Sequence, residues 1–245
     1  MTVRPEDPAF PATAASAAGD LSALDGAVIE CRACPRLVAW REQVATEKRA
    51  AFRDQTYWGR PAPGFGDPEA GIVIVGLAPA AHGANRTGRM FTGDRSGDFL
   101  LAALHEVGMA NQPTSTSIDD GLHLTGVRIT APVHCAPPEN KPTSAERERC
   151  GPWLSRELEL VRPQVAVVLG GFGWDALLRT LAEQGWAVPS PRPRFAHGAE
   201  VTITREESTL TLLGCFHVSQ QNTFTGRLTP TMLTDVLRRA RDLTR

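Results

Sequence analysis

The segment richest in chemically useful side chains is residues 76–94, GLAPAAHGANRTGRMFTGD. Its glycines and prolines let the backbone approach a ligand closely, so amides near Leu77 and Ala78 can donate hydrogen bonds to a carbonyl or a developing anion. A glycine-rich turn without a ligand is the alternative interpretation. Against that alternative stands the density of side chains suited to binding, which are His82, Asn85, Arg86, Arg89, Phe91 and Asp94.

Four of the five cysteines have an arrangement that suits metal binding. Cys31 and Cys34 form a C-x-x-C pair, and Cys135 and Cys150 follow much later in the chain. In a reducing compartment, converging thiolates more often hold a metal than form disulfides. The spacing departs from compact zinc ribbons and leaves three interpretations open: a zinc ion, an iron–sulfur cluster, or scattered structural cysteines. Cys215 lies in an apolar run and is expected to belong to the core.

The glycine-rich segment, residues 76–94, needs a strand to position it. Residues 71–79 start with an unbroken β-branched run, which predicts a buried parallel strand that ends in the glycine-rich loop. Further strands are predicted over residues 127–135, 165–171 and 209–219. Helices are predicted over residues 98–108, 144–160 and 174–184, and over 230–243 behind Thr229 as N-cap. This alternation predicts an α/β fold whose functional residues lie at the carboxyl ends of the strands.

Composition limits the classes of function. A chain of 245 residues with 42% hydrophobic content can bury one ordinary core. The formal net charge of −1 excludes a strongly basic protein that coats nucleic acid, so any such contact must be local. We expect residues 1–26 to form a flexible tail and residues 27–245 to form one catalytic domain. No run approaches the roughly 20 apolar residues that span a bilayer, so a soluble, intracellular protein is expected.

Five segments together carry a family resemblance: CRACPRLVAWR, YWGRPAPGFGDPEA, residues 76–94, TAPVHCAPPENKPT and FHVSQQNTFTGRLT. In order and spacing they closely resemble the family 5 uracil-DNA glycosylases, the bacterial and archaeal iron–sulfur branch of that superfamily. The resemblance covers the chain from about Cys31 to its end. It implies a central four-stranded parallel sheet flanked by helices. It also implies a [4Fe–4S] cluster held by Cys31, Cys34, Cys135 and Cys150.

The same resemblance implies an activity. The expected reaction is hydrolysis of the N-glycosidic bond of uracil in DNA, which leaves an abasic site for base excision repair. Hypoxanthine, xanthine and etheno-adducts are expected as further substrates. The implied partner is DNA that contains uracil or other deaminated bases, with no membrane partner. A monomeric, cytoplasmic and nucleoid-associated prokaryotic enzyme is expected.

A flipped base needs a pocket that replaces its lost stacking and pairing. The resemblance places Phe91 against the base as its stacking partner and Asn140, in PPEN, at its Watson–Crick edge. The backbone of Gly76, Leu77 and Ala78 is expected to complete the base-binding site. A core phenylalanine and a turn-forming asparagine are the alternative interpretations.

Cleavage passes through a sugar with oxocarbenium character while the base leaves as an anion. His217 in HVSQ matches the superfamily histidine that donates toward the base carbonyl. Relatives outside family 5 carry an acid or asparagine where this chain has Ala80 and Ala81. We therefore assign water orientation, or stabilisation of the oxocarbenium ion, to Asp94, with His82 as the next candidate. An acid that only stabilises a helix N-terminus is the alternative for Asp94.

Contacts with DNA phosphates are expected from two polar segments, where small groups and amides can meet phosphate oxygens. The residues assigned to them are Arg86, Arg89, Ser219, Gln221, Asn222 and Arg227. The segment QQNT is also expected to fill the space left by the flipped base. Solvated surface charge is the alternative for each arginine.

Two other functions compete with this prediction. A mononucleotide hydrolase or transferase also uses a glycine-rich loop after a strand, but no G-x-x-x-x-G-K-[ST] sequence is present. A noncatalytic iron–sulfur module that binds damaged DNA is compatible with the missing carboxylate after GLAP. Binding to DNA without release of a base would favour the noncatalytic module.

Overall fold

The structure, a computed structural model, describes residues 3–244. In that range the helices are α1 (Phe10–Ala17), α2 (Leu21–Glu30), α3 (Pro35–Glu47), α4 (Ala84–Thr87), α5 (Arg95–Glu106), α6 (Ser144–Val161), α7 (Gly171–Glu183), α8 (Gln220–Phe224) and α9 (Pro230–Asp242). The strands are β1 (Phe65–Gly66), β2 (Ile72–Val75), β3 (Val127–Thr130), β4 (Val165–Leu169), β5 (Glu200–Arg205) and β6 (Ser208–Cys215). Short 3-10 turns lie at Ala50–Phe52 and Pro138–Asn140.

All six strands form one sheet in the order β1-β3-β2-β4-β6-β5. The four inner strands run parallel, and Ile74 of β2 pairs with Ile129 of β3 and Val167 of β4. Every residue of β2, β3 and β4 is buried, because helices cover both faces of the sheet. The predicted central four-stranded parallel sheet with flanking helices is confirmed.

Two antiparallel edge strands extend this sheet, and neither was predicted. β1 pairs with β3, and β5 forms a hairpin with β6 that turns at Glu206, which has a positive φ. In β5 only Ile203 is fully buried, since an edge strand needs few apolar side chains. Such a strand has no continuous apolar run for a sequence pattern to show.

The predicted helices are present, and their caps explain where they begin. α5 begins three residues earlier than predicted because the Asp94 carboxylate accepts a hydrogen bond from the Gly97 N–H (2.9 Å). α6 begins with a capping box in which Thr143 and Glu146 satisfy each other's backbone N–H groups. The Thr229 hydroxyl accepts from a backbone N–H in the first turn of α9, as its predicted N-cap role requires.

The amino-terminal region differs from the expected flexible tail. Residues 10–17 form α1, residues 21–26 begin α2, and Leu24 is almost fully buried. The ring of Phe10 meets Trp153 of α6 edge to face, with 6.0 Å between ring centroids. Alanines on α1 let it lie close to α6, so small apolar side chains order this region despite their low hydrophobicity. Residues 1 and 2 of the expected tail, and residue 245 of the expected domain, lie outside the described residues.

Helices cover the two faces of the sheet, and the functional segments lie at the carboxyl ends of its strands. α5 and α9 pack on one face, and α6 and α7 pack on the other. The carboxyl ends of the inner strands are covered by loops, which contain the predicted functional segments. Among the described residues, no helix combines the length and apolar character needed to cross a bilayer.

Candidate active site

A cavity of about 590 Å³ opens at the carboxyl ends of β2, β3 and β6. It brings together all the residues predicted to bind the base or to act in catalysis, and two of those predicted to contact DNA. These residues are Gly76, Leu77, Ala78, Phe91, Asp94, Asn140, His217, Ser219 and Gln221. The lining is completed by Pro79, Ala80, Met90, Ser96, Ala131 and Gln220.

The position of Phe91 depends on two glycines. A β-carbon on Gly76 would lie 3.1 Å from the Phe91 Cζ atom, and one on Gly97 would lie 2.1 Å from the Phe91 carbonyl oxygen. Phe91 itself has a φ of 52°, which is unfavourable for a bulky side chain. Backbone strain of this kind persists where the surroundings fix it and is concentrated at functional sites. The ring is therefore held as one wall of the cavity, partly buried against the core.

Asp94 has a structural and a site role together. One carboxylate oxygen caps α5, and the side chain also lines the cavity. Burial raises the pKa of the Asp94 carboxyl, while backbone hydrogen bonds from Gly97 and Ser96 oppose that rise. Asp94 can therefore both stabilise the N-terminus of α5 and act in the cavity, because the two oxygens of its carboxylate have different surroundings.

His217 follows the carboxyl end of β6 and lines the same cavity as the glycine-rich loop. Burial lowers the pKa of His217 to about 4, so its imidazole is neutral at pH 7. A β-carbon on Gly170 would lie 3.2 Å from the His217 Cβ atom, so this backbone packs closely against the histidine. Asn222 donates its amide hydrogen to the His217 carbonyl oxygen (2.8 Å) and fixes α8 to the same loop.

Asn140 lies at the mouth of the cavity. It ends a 3-10 turn in which both Glu139 and Asn140 have positive φ, at 53° and 56°. Its side chain is exposed and lines the cavity, and the structure gives it no hydrogen-bond partner among the described residues. A turn-forming role and an available amide therefore coexist in this residue.

The position after Pro79 has no proton-transfer group. Ala80 contributes a methyl group to the cavity, and its carbonyl accepts hydrogen bonds from the backbone of Gly83 and Asn85. His82 lies outside the cavity lining, and its Nδ1 atom is 3.0 Å from the Tyr57 hydroxyl. Asp94 is thus the one carboxylate in the lining of this cavity.

Arg86 corrects the predicted set of phosphate contacts. Its guanidinium is buried and donates to the carbonyls of His82 (2.8 Å) and Gly93 (2.6 Å) and to the Gln55 side chain (2.6 Å). The ring of Phe52 stacks on its remaining face. A glycine-rich loop leaves backbone carbonyls without partners, and Arg86 donates hydrogen bonds to two of them. Its guanidinium is therefore not available to a DNA phosphate.

Arg89 is also structural. It donates to both oxygens of Asp120 (2.7 Å each) and to the Ser115 hydroxyl (2.8 Å), and only 5% of its side chain is exposed. Burial raises the pKa of Asp120, but hydrogen bonds from Arg89 and from backbone N–H groups outweigh this effect and bring it to about 2. Neither arginine of this loop is free to bind phosphate.

The segment after His217 carries four of the residues predicted to contact DNA, and the structure places them differently. Ser219 and Gln221 line the cavity, and Arg227 is exposed above the ring of Phe216 at 4.6 Å. The side-chain N–H of Asn222 is engaged with the His217 carbonyl, so Asn222 holds the loop in place rather than presenting that donor to DNA.

The sequence analysis missed one prominent residue, Phe224 at the end of α8. It is 67% exposed, and the Arg95 guanidinium lies over its ring at 5.3 Å. Arg95 follows Asp94, so this contact joins the two sides of the cavity mouth. The signal for it was an aromatic residue in the otherwise polar run QQNTFTG.

The four cysteines predicted to bind metal converge on a second, small cavity. Cys31, Cys34, Cys135 and Cys150 are all free and buried, and all line this cavity. Arg41 donates to the Cys135 sulfur (2.9 Å). Within residues 3–244, no three His, Cys, Asp or Glu side chains are arranged around one point as a single metal ion requires. The fifth cysteine, Cys215, is buried in the main core as predicted.

Comparison with known proteins identifies the family. The family model of the uracil DNA glycosylase superfamily matches residues 63–241. A type-5 uracil-DNA glycosylase of Mycobacterium tuberculosis is 56% identical over 94% of this chain and 84% of its own length. The type-5 enzyme of Mycobacterium leprae is 55% identical over 92% of the chain and 96% of its length, and that of Thermus thermophilus is 51% identical over 87% and 93%. The chain therefore belongs to the uracil DNA glycosylase superfamily, in its type-5 group.

Proposed function

We propose that this protein hydrolyses the N-glycosidic bond of uracil in DNA and leaves an abasic site for base excision repair. The observation that carries this proposal is the single cavity that unites the Phe91 wall, the Asp94 carboxylate and the neutral His217. Its volume of about 590 Å³ lies within the range of small-molecule sites and accommodates one extrahelical base. The names of the type-5 relatives support the same activity.

Recognition of the base follows from the cavity wall. Phe91 stacks on one face of the flipped base, with its ring already fixed by Gly76. The Asn140 amide supplies one donor and one acceptor to the Watson–Crick edge. Backbone N–H groups of Leu77 and Ala78 meet the base from the end of β2. Gly76 contributes only to the wall of the cavity, because its N–H donates to the Thr130 carbonyl (2.8 Å).

Departure of the base is assisted from the opposite side. A neutral His217 donates a hydrogen bond toward a base carbonyl, where negative charge develops as the bond breaks. The Asp94 carboxylate orients water or stabilises the positive sugar electrostatically. With alanine at position 80, no second carboxylate in the cavity lining is available to orient the water.

The same cavity supports a broad substrate range. The wall at Ala80 is a methyl group, so the cavity is not narrowed there. We therefore propose hypoxanthine, xanthine and etheno-adducts as further substrates. Separately, we propose that the enzyme is monomeric and acts at the prokaryotic nucleoid. A panel of single- and double-stranded oligonucleotides that carry these bases tests the range.

We propose that the four cysteines bind a [4Fe–4S] cluster. Four free, buried thiols line one cavity, and both Arg41 and the His134 backbone N–H donate to sulfur there. The buried Trp153 Nε1 in the same lining has no partner among the described residues, so a donor is also available. Cys31 and Cys34, Cys135 and Cys150 come from three distant segments of the chain, so a cluster held by them would supply a structural cross-link.

The cluster is tested by colour and composition. Purified protein should be yellow-brown, absorb near about 400 nm and contain iron and sulfide. Cys150→Ser should lose this absorption, whereas the matched control Cys215→Ser should keep it. Colourless protein with stoichiometric zinc would contradict the assignment.

Activity is tested on a duplex with one uracil by detection of free base and of alkali-sensitive abasic sites. The wild-type chain should release uracil, and His217→Ala should slow the single-turnover rate at least about 100-fold. Binding without release of base would instead favour a noncatalytic module. Cleavage of mononucleotides alone would favour the mononucleotide hydrolase.

A further inference from the structure

One basic loop next to the active site takes no part in the function described so far. Residues 189–198, PSPRPRFAHG, connect α7 with β5, and we call them the proline–arginine loop. Arg192 and Arg194 are both exposed. Neither has a hydrogen bond or ion pair with any described residue, in contrast to the buried Arg86 and Arg89.

The loop is attached to the fold at several points. The Trp174 indole N–H donates to the Pro193 carbonyl (2.8 Å), and the Phe195 ring lies edge-on to Trp174, with ring centroids 6.1 Å apart. Farther along, the Gly198 N–H donates to the Gly214 carbonyl of β6 (2.8 Å). Prolines on both sides of Arg192 restrict φ, so less backbone freedom is lost when a ligand binds.

This attachment places the loop close to His217. Phe195 contacts both Gly171 at the start of α7 and Phe216, with 6.3 Å between the phenylalanine ring centroids. Phe216 directly precedes His217 in the chain. The aromatic layer of Phe195 and Phe216 therefore connects the proline–arginine loop with the segment that carries His217.

Arg227 adds a third positive charge, next to the Phe216 ring. Its guanidinium lies 4.6 Å from the Phe216 ring centroid, while His197 stacks on the same ring at 5.0 Å. Burial lowers the pKa of His197, which leaves its ring neutral. Glu200, the acidic residue nearest to the proline–arginine loop along the chain, is paired with Arg239. In a chain with a net charge of −1, three unpaired arginines beside the site form a local attraction for anions.

We propose that Arg192 and Arg194, together with Arg227, bind backbone phosphates of the DNA strand beside the extruded nucleotide. Guanidinium groups bind phosphate oxygens in pairs of parallel hydrogen bonds, and phosphate contacts fix the position of the duplex without reading its sequence. This inference rests on the proposed action on DNA. It replaces the phosphate contacts that Arg86 and Arg89 cannot make.

The test compares two double variants of the full chain with the wild type. R192Q/R194Q removes both charges from the loop. The control R162Q/R238Q removes two arginines at the amino-terminal ends of the strands. Arg162 is exposed and precedes β4, and Arg238 is half-buried and pairs with Glu106 at the end of α5. Binding to a fluorescent duplex with an abasic site is measured from 50 to 200 mM salt, with single-turnover uracil release at saturating protein.

R192Q/R194Q should raise Kd about tenfold or more and reduce the slope of log K against log salt by about 2, while the saturated rate stays near the wild-type value. The control should change neither Kd nor slope. An unchanged Kd and slope in R192Q/R194Q would overturn the inference. Wild-type protein that binds DNA but releases no uracil would overturn the proposed function alone, because the comparison of binding slopes would still be valid.

Discussion

The Asp94 carboxylate lies directly against the backbone of Gly83. A β-carbon on Gly83 would lie 1.8 Å from Asp94 Oδ2, a separation that no side chain can occupy. The other carboxylate oxygen caps α5 through the Gly97 N–H. The glycine-rich loop and the first turn of α5 therefore fix the one acid in the cavity from two sides.

Asp94→Asn should keep the N-cap of α5 but remove the negative charge from the cavity. Asparagine caps helices as well as aspartate does, so the melting temperature should stay within a few degrees of the wild type. Loss of the carboxylate should lower the single-turnover rate of uracil release about 100-fold or more. A rate equal to that of the wild type would remove Asp94 from the chemistry. Thr143→Ala, which removes an N-cap outside the cavity, is the control for helix capping.

Gly83→Ala should impair the same step indirectly. The added methyl group must displace the Asp94 side chain, so the rate at saturating protein should fall while DNA binding changes little. Gly151→Ala is the control, since Gly151, like Gly83, has no positive φ and the space around it is open. Equal rates for Gly83→Ala and the wild type would show that Oδ2 needs no fixed position.

Because His217 is buried, we predict that the free energy of unfolding depends on pH. Burial lowers the pKa of His217 to about 4 in the folded protein, against about 6.5 in the unfolded chain. The unfolded state therefore binds more protons between these values, and the free energy of unfolding should fall as pH decreases from 6.5 toward 4, by on the order of 2 kcal/mol. Urea unfolding at several pH values should show this loss in the wild type and a smaller loss in His217→Gln. Parallel curves for the two proteins would contradict the burial of a neutral imidazole.

Arg89→Ala should destabilise the protein without weakening phosphate binding. Removal of the guanidinium leaves Asp120 nearly buried and unpaired, so the free energy of unfolding should decrease by about 3 kcal/mol. The slope of log K against log salt for DNA should remain that of the wild type at a temperature where both proteins are folded. A decrease in that slope would restore Arg89 as a phosphate contact.

Phe224→Ala should distinguish duplex from single-stranded substrates. An exposed ring at the cavity mouth can occupy the stack after the base has left, and this help is needed only in a duplex. Uracil release from duplex should slow about tenfold, and release from single-stranded DNA should change little. Phe224→Leu should keep most of the activity on duplex. Equal slowing on both substrates would instead indicate a role in holding α8.

Much of the candidate site was predictable because its residues lie in contiguous segments. Residues 76–94 directly follow β2, and His217 directly follows β6, so parallel strands deliver both to the same edge of the sheet. The edge strand β5 and helix α1 were not predictable in this way. Their apolar residues are few or small, and their order comes from packing against β6 and α6.

The sequence by itself determined the four parallel strands and the loops at their ends, because unbroken apolar runs and local motifs encode them over a few neighbouring residues. Only the tertiary structure decided which arginines are free. Arg86 and Arg89 find partners in Gln55 and Asp120, each about 30 residues away in the chain, whereas Arg192 and Arg194 find none among the described residues. Whether a guanidinium faces solvent depends on carbonyls and carboxylates that folding brings to it, and spacing along the chain does not contain that information.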